Sequence, residues 1–156
     1  MKQVFIILPD LRSVYNVGAI FRTADCIGAE KIFLSGTAPT PVDRFGKERK
    51  DFAKAALGAE KSVSWEYVKN ISTVLKKLKA EGFEIIAVEQ AKSSVDYKKV
   101  VPKDKCIVIF GNEVKGLSKS ILKYADVIAE IPMRGKKESL NVSVSAGITL
   151  FRWFDR

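Results

Sequence analysis

No histidine occurs anywhere in the 156-residue sequence. That absence excludes Ser-His and Cys-His nucleophile pairs, imidazole general bases and histidine-ligated metals. Any chemistry must come from arginine, lysine, carboxylates, hydroxyls or a bound cofactor. Cysteine is scarce too. Cys26 and Cys106 lie far apart and make no metal-binding spacing, so no metal is expected and a reducing cytoplasm is the expected compartment. No apolar run approaches the length of a membrane span, so no membrane association is expected. The opening MKQVFIILPD has a short apolar stretch followed by Pro-Asp, and reads as a strand, not a signal peptide. A dinucleotide fold needs G-x-G-x-x-G at its first strand–helix turn, where bare backbone approaches a pyrophosphate. Only Gly18 stands in that region, already inside a helix, and no P-loop is found elsewhere.

What is present describes one well-cored domain over residues 1–156. Hydrophobic residues make up 47% and charged residues 29%, which argues against disorder. The formal charge is +9, from 27 Lys and Arg against 18 Asp and Glu. Such a balance suits solubility, and it also suits a polyanion, because each neutralised phosphate releases condensed counterions.

Along the chain, short apolar runs alternate with helical patterns. Strands are expected at Val4–Leu8, Lys31–Leu34, Val63–Tyr67, Phe83–Val88, Lys105–Phe110 and Val127–Ile131. Helices are expected from about Asn16 (a good N-cap) to Gly28, around Gly46–Leu57, over Ser72–Glu81 and near Ser118–Tyr124. The last segment, Ser139–Phe154, is expected to be helical by its length. Strands apolar on both faces and alternating with helices predict an α/β fold, a parallel sheet covered on both sides.

In such a sheet, ligands bind beyond the carboxyl ends of the strands. Three of those loops stand out: LPDLRSVYNVGAIFR, IFGNEVKGLS and IPMRGKKESLNVSVSAG. In the helix of the first, Val17, Ile20, Phe21, Ala24 and Ile27 make the stripe toward the sheet. Arg22 falls opposite, beside Gly18, Ala19, Cys26 and Ala29, small residues that permit close approach of a substrate or another subunit. The alternative is a surface pair between Arg22 and Asp25. The second loop sets Gly111 directly after a buried strand, followed by the carboxylate of Glu113; G-N-E-x-x-G also reads as an ordinary turn. The third joins a basic tip, Arg134, Lys136 and Lys137, to Ser139, Asn141 and Ser143 at a helix start, where Ser139 could serve simply as an N-cap.

Together, NVGAIFRTA (Asn16–Ala24), IVIFGNEVKGL (Ile107–Leu117) and IPMRGKKESLNVSVSAGITL (Ile131–Leu150) resemble the ordered motifs of the SpoU/TrmH family of SPOUT RNA 2′-O-ribose methyltransferases. The resemblance covers essentially the whole chain. It implies an α/β knot, a parallel sheet flanked by helices whose C-terminal segment threads a loop as a deep trefoil knot. Strand order alone would never suggest this, since knots are nearly absent from proteins. It also implies S-adenosyl-L-methionine as cofactor, tRNA or ribosomal RNA as substrate, and a homodimer packed through the helices of the first and third motifs. Arg22 matches the family's catalytic arginine, with Asn16, Glu113, Ser139 and Asn141 at the remaining polar positions of the site. Gly111, Ile131 and Leu140 match the positions around the cofactor's adenosine, and Met133, Val88 and Glu89 complete the expected cofactor set. Arg12, Arg44, Lys47, Arg49, Lys50, Arg134, Lys136 and Lys137 are the candidate RNA contacts; a solvated charged face is the alternative. The chain carries no RNA-binding extension, so substrate choice is expected to rest on this one domain. A non-catalytic RNA-binding module of the same fold is the second reading.

Overall fold

The computed structural model describes residues 2–155. Its strands are β1 (Gln3–Pro9), β2 (Lys31–Ser35), β3 (Ser64–Val68), β4 (Glu84–Val88), β5 (Val95–Asp96), β6 (Lys105–Phe110) and β7 (Val127–Glu130). Its helices are α1 (Val14–Cys26), α2 (Lys50–Ala56), α3 (Ala59–Ser62), α4 (Ile71–Ala80), α5 (Lys119–Leu122) and α6 (Val142–Phe154). The strands form one sheet in the order β3-β2-β1-β6-β4-β7-β5, and every pairing is parallel. Six strands match those expected from sequence. The seventh, β5, is two residues long and carries no periodicity from which it could be read.

Alternation along the strands divides the core into two layers. Val4, Ile6 and Leu8 of β1, with Cys106, Val108 and Phe110 of β6, face α1 and α6. Ile7, Ile107 and Ile109 face the opposite way, against Leu75 and Leu78 of α4. Each fully buried Ile or Leu contributes about 1.5–3 kcal/mol, which is why these strands are apolar on both faces.

Helix α1 starts three residues earlier than its composition suggests. Ser13 is the N-cap, and its hydroxyl accepts from Asn16 N–H at 3.2 Å. Asn16 therefore lies inside the first turn with its side-chain amide free to bond elsewhere. The other end closes as expected at Gly28, with φ +69°. Gly28 N–H donates to Asp25 and Ala29 N–H to Ala24, the paired bonds of a Schellman ending.

Two further expectations are corrected. Residues 46–49 are not helical. Asp43 Oδ1 accepts from the amides of Phe45 (2.8 Å) and Lys47 (3.0 Å), and Val42 bridges Glu48 antiparallel, so residues 41–49 form a tight hairpin before α2 begins. Gly18 is not on the open face of α1 but buried against α2. A Cβ built there would stand 2.5 Å from Ala55 Cβ and 2.9 Å from the Ala55 and Ala56 backbone. Ala29 is buried as well. Gly18 thus serves a contact between helices of the same chain, while Ala19 and Cys26 remain on the face that carries Arg22.

Candidate active site

Because every strand is parallel, the loops after β1, β6 and β7 emerge at one edge. The chain runs from β1 outward to β2 and β3 and later returns to place β6 on β1's other side. The carboxyl ends of β1 and β6 therefore flank a topological switch point, where open α/β sheets hold ligands. A cleft of about 350 Å³ lies there, lined by Pro9, Asp10, Arg12, Asn112, Lys115 and Leu117 among others.

The three loops are tied together by hydrogen bonds. Glu113 reaches the start of α1, where its carboxylate accepts from the amides of Arg12 (3.2 and 3.3 Å) and Ser13 (3.2 Å). It also accepts from Asn16 Nδ2 at 3.2 Å. Asn16 Oδ1 in turn accepts from Asn141 Nδ2 at 3.1 Å. Asn141 caps α6 through Oδ1, which accepts from Ser143 N–H at 2.8 Å and Ser143 Oγ at 2.6 Å. One polar chain, Glu113–Asn16–Asn141–Ser143, thereby joins all three motifs. Partial burial alone would push the Glu113 carboxyl upward, but the hydrogen bonds to its charged form outweigh this and hold it below its ordinary value. It stays ionised at neutral pH.

The second loop is folded back on itself. A Cβ at Gly111 would come within 2.6 Å of the Gly116 carbonyl carbon and 2.7 Å of Leu117 N, so only glycine fits. Glu89, placed in the cofactor set, accepts from Leu117 N–H (2.8 Å) and Gln90 N–H (2.8 Å), pinning this loop to the end of β4. Asn112 is a site residue that motif reading does not single out. It donates to the Asp10 carbonyl at 2.6 Å and accepts from the amides of Val114 and Lys115. The signal for it is its place in a G-N-E turn, where asparagine commonly bonds backbone two residues on. Gln90 is a second such residue; its amide donates to the Glu138 carbonyl at 2.7 Å and fastens the third loop.

Ile131 and Met133 are half-buried and Leu140 is 39% exposed. Residues 133–140 make no backbone–backbone hydrogen bonds among the described residues. Apolar side chains beside a backbone that bonds to no other backbone form a set that suits an adenosine, whose faces seek dispersion and whose edge seeks hydrogen bonds. Val88, at the end of β4, is partly buried against the same core layer as α1. Ser139 is exposed and lies outside α6; Asn141 takes the N-cap role considered for it.

Arg22 stands apart from the polar chain. It is exposed, on the stripe Tyr15–Ala19–Arg22–Cys26, and makes no ion pair among the described residues. The Arg22–Asp25 pair does not form; Asp25 instead accepts from Ser62 Oγ at 2.6 Å. Of the basic candidates, Arg12 lines the cleft at the switch point and also a neighbouring open one of about 590 Å³, with Arg44 and Arg49. Arg49 gives its fork to Asp51, at 3.1 and 2.7 Å. Lys47 and Lys50 are exposed nearby. Arg134, Lys136 and Lys137 are exposed on the third loop and line neither cleft. Among the described residues no group of acidic or cysteine side chains could hold a metal ion, and no helix is long and apolar enough to cross a membrane.

Known proteins resemble this chain over most of its length. The chain is 32% identical over 150 residues to the tRNA (guanosine(18)-2′-O)-methyltransferase of Aquifex aeolicus, covering 96% of this chain and 68% of that protein. It is 33% identical over 147 residues to the 23S rRNA (guanosine-2′-O-)-methyltransferase RlmB of Neisseria meningitidis, covering 94% and 56%. The crystal structure of the A. aeolicus TrmH/SpoU tRNA modifying enzyme superposes with a TM-score of 0.84 at 30% identity, over 97% of this chain and 74% of that one. An AdoMet-bound rRNA methyltransferase from Sinorhizobium meliloti superposes with a TM-score of 0.85 at 28% identity, over 96% and 55%. The chain thus spans little more than half the length of several relatives. The model of the SpoU rRNA methylase family matches residues 3–151, and the chain belongs to that family.

Proposed function

We propose that this chain is a single-domain, S-adenosyl-L-methionine-dependent methyltransferase that modifies a ribose 2′-hydroxyl of tRNA or ribosomal RNA in the cytoplasm. The observation that carries the reading is the hydrogen-bonded chain Glu113–Asn16–Asn141, which assembles three distant motifs at one edge of the sheet. Family membership and the 2′-O-methyltransferase names of the relatives supply the reaction class.

Gly111, Ile131, Met133 and Leu140 would hold the cofactor, in the knotted arrangement that the family resemblance implies. The cofactor supplies an activated methyl group on a sulfonium. The chain's own residues must then orient the 2′-hydroxyl in line and ease loss of its proton. Arg22 suits the orienting role. Its guanidinium keeps its proton, so it donates to a phosphate beside the reacting ribose and stabilises developing negative charge on the 2′-oxygen. Glu113 is held ionised by three donors and is therefore a weak base; it orients Asn16 and the start of α1. Asn141 brings the third loop to the same edge, and Ser139 lies on that loop.

The unit is a homodimer in this reading. Tyr15, 74% exposed on α1, and Val144 and Phe151, exposed on α6, leave an apolar surface on two helices that pack against each other. Sedimentation at micromolar concentration should give twice the 17.3 kDa chain mass, and Phe151→Glu should halve it.

The direct test is transfer of labelled methyl groups from S-adenosyl-L-methionine to unfractionated tRNA and ribosomal RNA, followed by mapping of the modified nucleotide. A 2′-O-methyl product at one position is expected. Cofactor binding with no product on either RNA would overturn the assignment and favour the non-catalytic module.

A further inference from the structure

The hairpin of residues 41–49 is unused by the chemistry above, yet it is closely bonded. Arg49 N–H donates to the Pro41 carbonyl at 2.9 Å and Asp43 N–H to that of Lys47 at 2.8 Å. Thr40 Oγ1 donates to the Val42 carbonyl at 2.6 Å. Asp43 satisfies the amides of Phe45 and Lys47, and Gly46 takes φ +79° where other residues are strained. These bonds hold Arg44 and Phe45 outward at the tip.

Phe45 is 79% exposed, and the Arg44 guanidinium lies 4.7 Å from its ring centre. A lone exposed phenylalanine is ordinary. This one, however, lines the 590 Å³ cleft together with Arg12, Arg44 and Arg49, and Arg12 is shared with the cleft at the switch point. The nearby acids are already engaged: Asp43 with the turn amides, Asp51 with Arg49, and Glu48 with Lys61 at 3.7 Å. Arg12, Arg44, Lys47 and Lys50 leave the region net positive.

We propose that the Arg44–Phe45 tip is a stacking platform for an unpaired base of the substrate RNA, next to the nucleotide held at the switch point, with Arg12 on the intervening phosphate. This rests on the reading of the chain as an RNA methyltransferase. An aromatic ring backed by a guanidinium offers a base a flat apolar face, and a positive cleft tracks the sugar–phosphate chain. Single-stranded RNA is recognised in this way because its bases can be splayed from their neighbours. The tip is pre-formed, so little ordering is required on binding. The hairpin thus selects for a loop or an unpaired end over a continuous duplex.

The test measures affinity for unfractionated tRNA and for ribosomal RNA at several salt concentrations, using wild type, Phe45→Ala, Phe45→Trp and Arg44→Ala. Phe45→Ala should weaken binding roughly tenfold with the salt slope unchanged, since stacking releases no counterions. Phe45→Trp should stay within about twofold of wild type. Arg44→Ala should weaken binding and lower the salt slope by about one. The proposal is overturned if Phe45→Ala binds like wild type, or if Phe45→Trp is as weak as Phe45→Ala, which would mark disruption of the hairpin. A wild-type chain that neither binds nor methylates either RNA would sink the enzyme reading itself, before any variant is compared.

Discussion

Asn16 and Asn141, 125 positions apart, are joined by a hydrogen bond of 3.1 Å from Asn141 Nδ2 to Asn16 Oδ1. Asn16 also donates to Glu113, so it is bonded to both other motifs. Asn16→Asp keeps the acceptor toward Asn141 but sets a carboxylate against Glu113. The variant should lose roughly 1–3 kcal/mol near neutral pH, the cost of a spoiled polar contact, and recover part of it on acidification as the pair takes up a proton. Denaturant unfolding at pH 7.5 and 5 checks this. Equal losses at both pH values would contradict the contact.

Besides the exposed Asp51 beside Arg49, two partly buried carboxylates held below their ordinary values contribute to the acid sensitivity of the wild type. Glu113 is held below its ordinary 4.5. Asp126 lies below its ordinary 3.8; burial opposes this, but a 2.8 Å bond from Lys79 and one from Ile85 N–H outweigh it. A folded value below the unfolded one contributes stability above the unfolded value, lost as pH falls through the folded one. Melting temperature should therefore be flat from pH 8 to 5 and fall below about 4.5. Asp126→Asn should flatten part of that fall, which thermal scans across pH will show.

Gly18 sits where α1 meets α2 with no room for a Cβ. Gly18→Ala would press a methyl into the α2 backbone at 2.9 Å and should destabilise by about 1–3 kcal/mol. Chemical denaturation measures it; an unchanged midpoint would mean that α2 moves freely.

Arg22 is exposed and unpaired among the described residues, so its removal should leave folding intact. Arg22→Ala is expected to lower turnover by about 10²–10³-fold, as loss of a charge-stabilising donor does elsewhere. Arg22→Lys keeps the charge without the fork and should recover only a small part. Near-normal turnover of the alanine variant in the methyl-transfer assay would remove Arg22 from the mechanism.

Much of the fold is legible in the sequence because apolar alternation reports burial directly. Strands β1, β4 and β6 are buried on both faces, and their composition alone marks them as parallel and central. The polar chain is half-legible. Asn16, Glu113 and Asn141 stand out by motif, but their mutual bonds depend on loops separated by most of the sequence. Asn16 reads as a cap because serine and asparagine serve that role equally, and only the neighbouring carboxylate decides between Ser13 and Asn16. The hairpin at 41–49 reads as helix in its second half because Lys, Glu and Arg favour helices, while the Asp43 side-chain bonds that prevent it are local and specific. Strand β5 is invisible in the sequence because it exists only where β7 offers it an edge.

Helix beginnings commonly attract phosphate, because their amides point outward with partial positive charge. At the start of α1 that place is filled by the chain's own carboxylate, Glu113, on the amides of Arg12 and Ser13. On the proposed reading, an RNA phosphate approaching those two amides meets a fixed negative charge. On that reading the polyanion is steered away from these amides and toward the guanidinium of Arg12, so an internal carboxylate acts as a signpost for the strand's path.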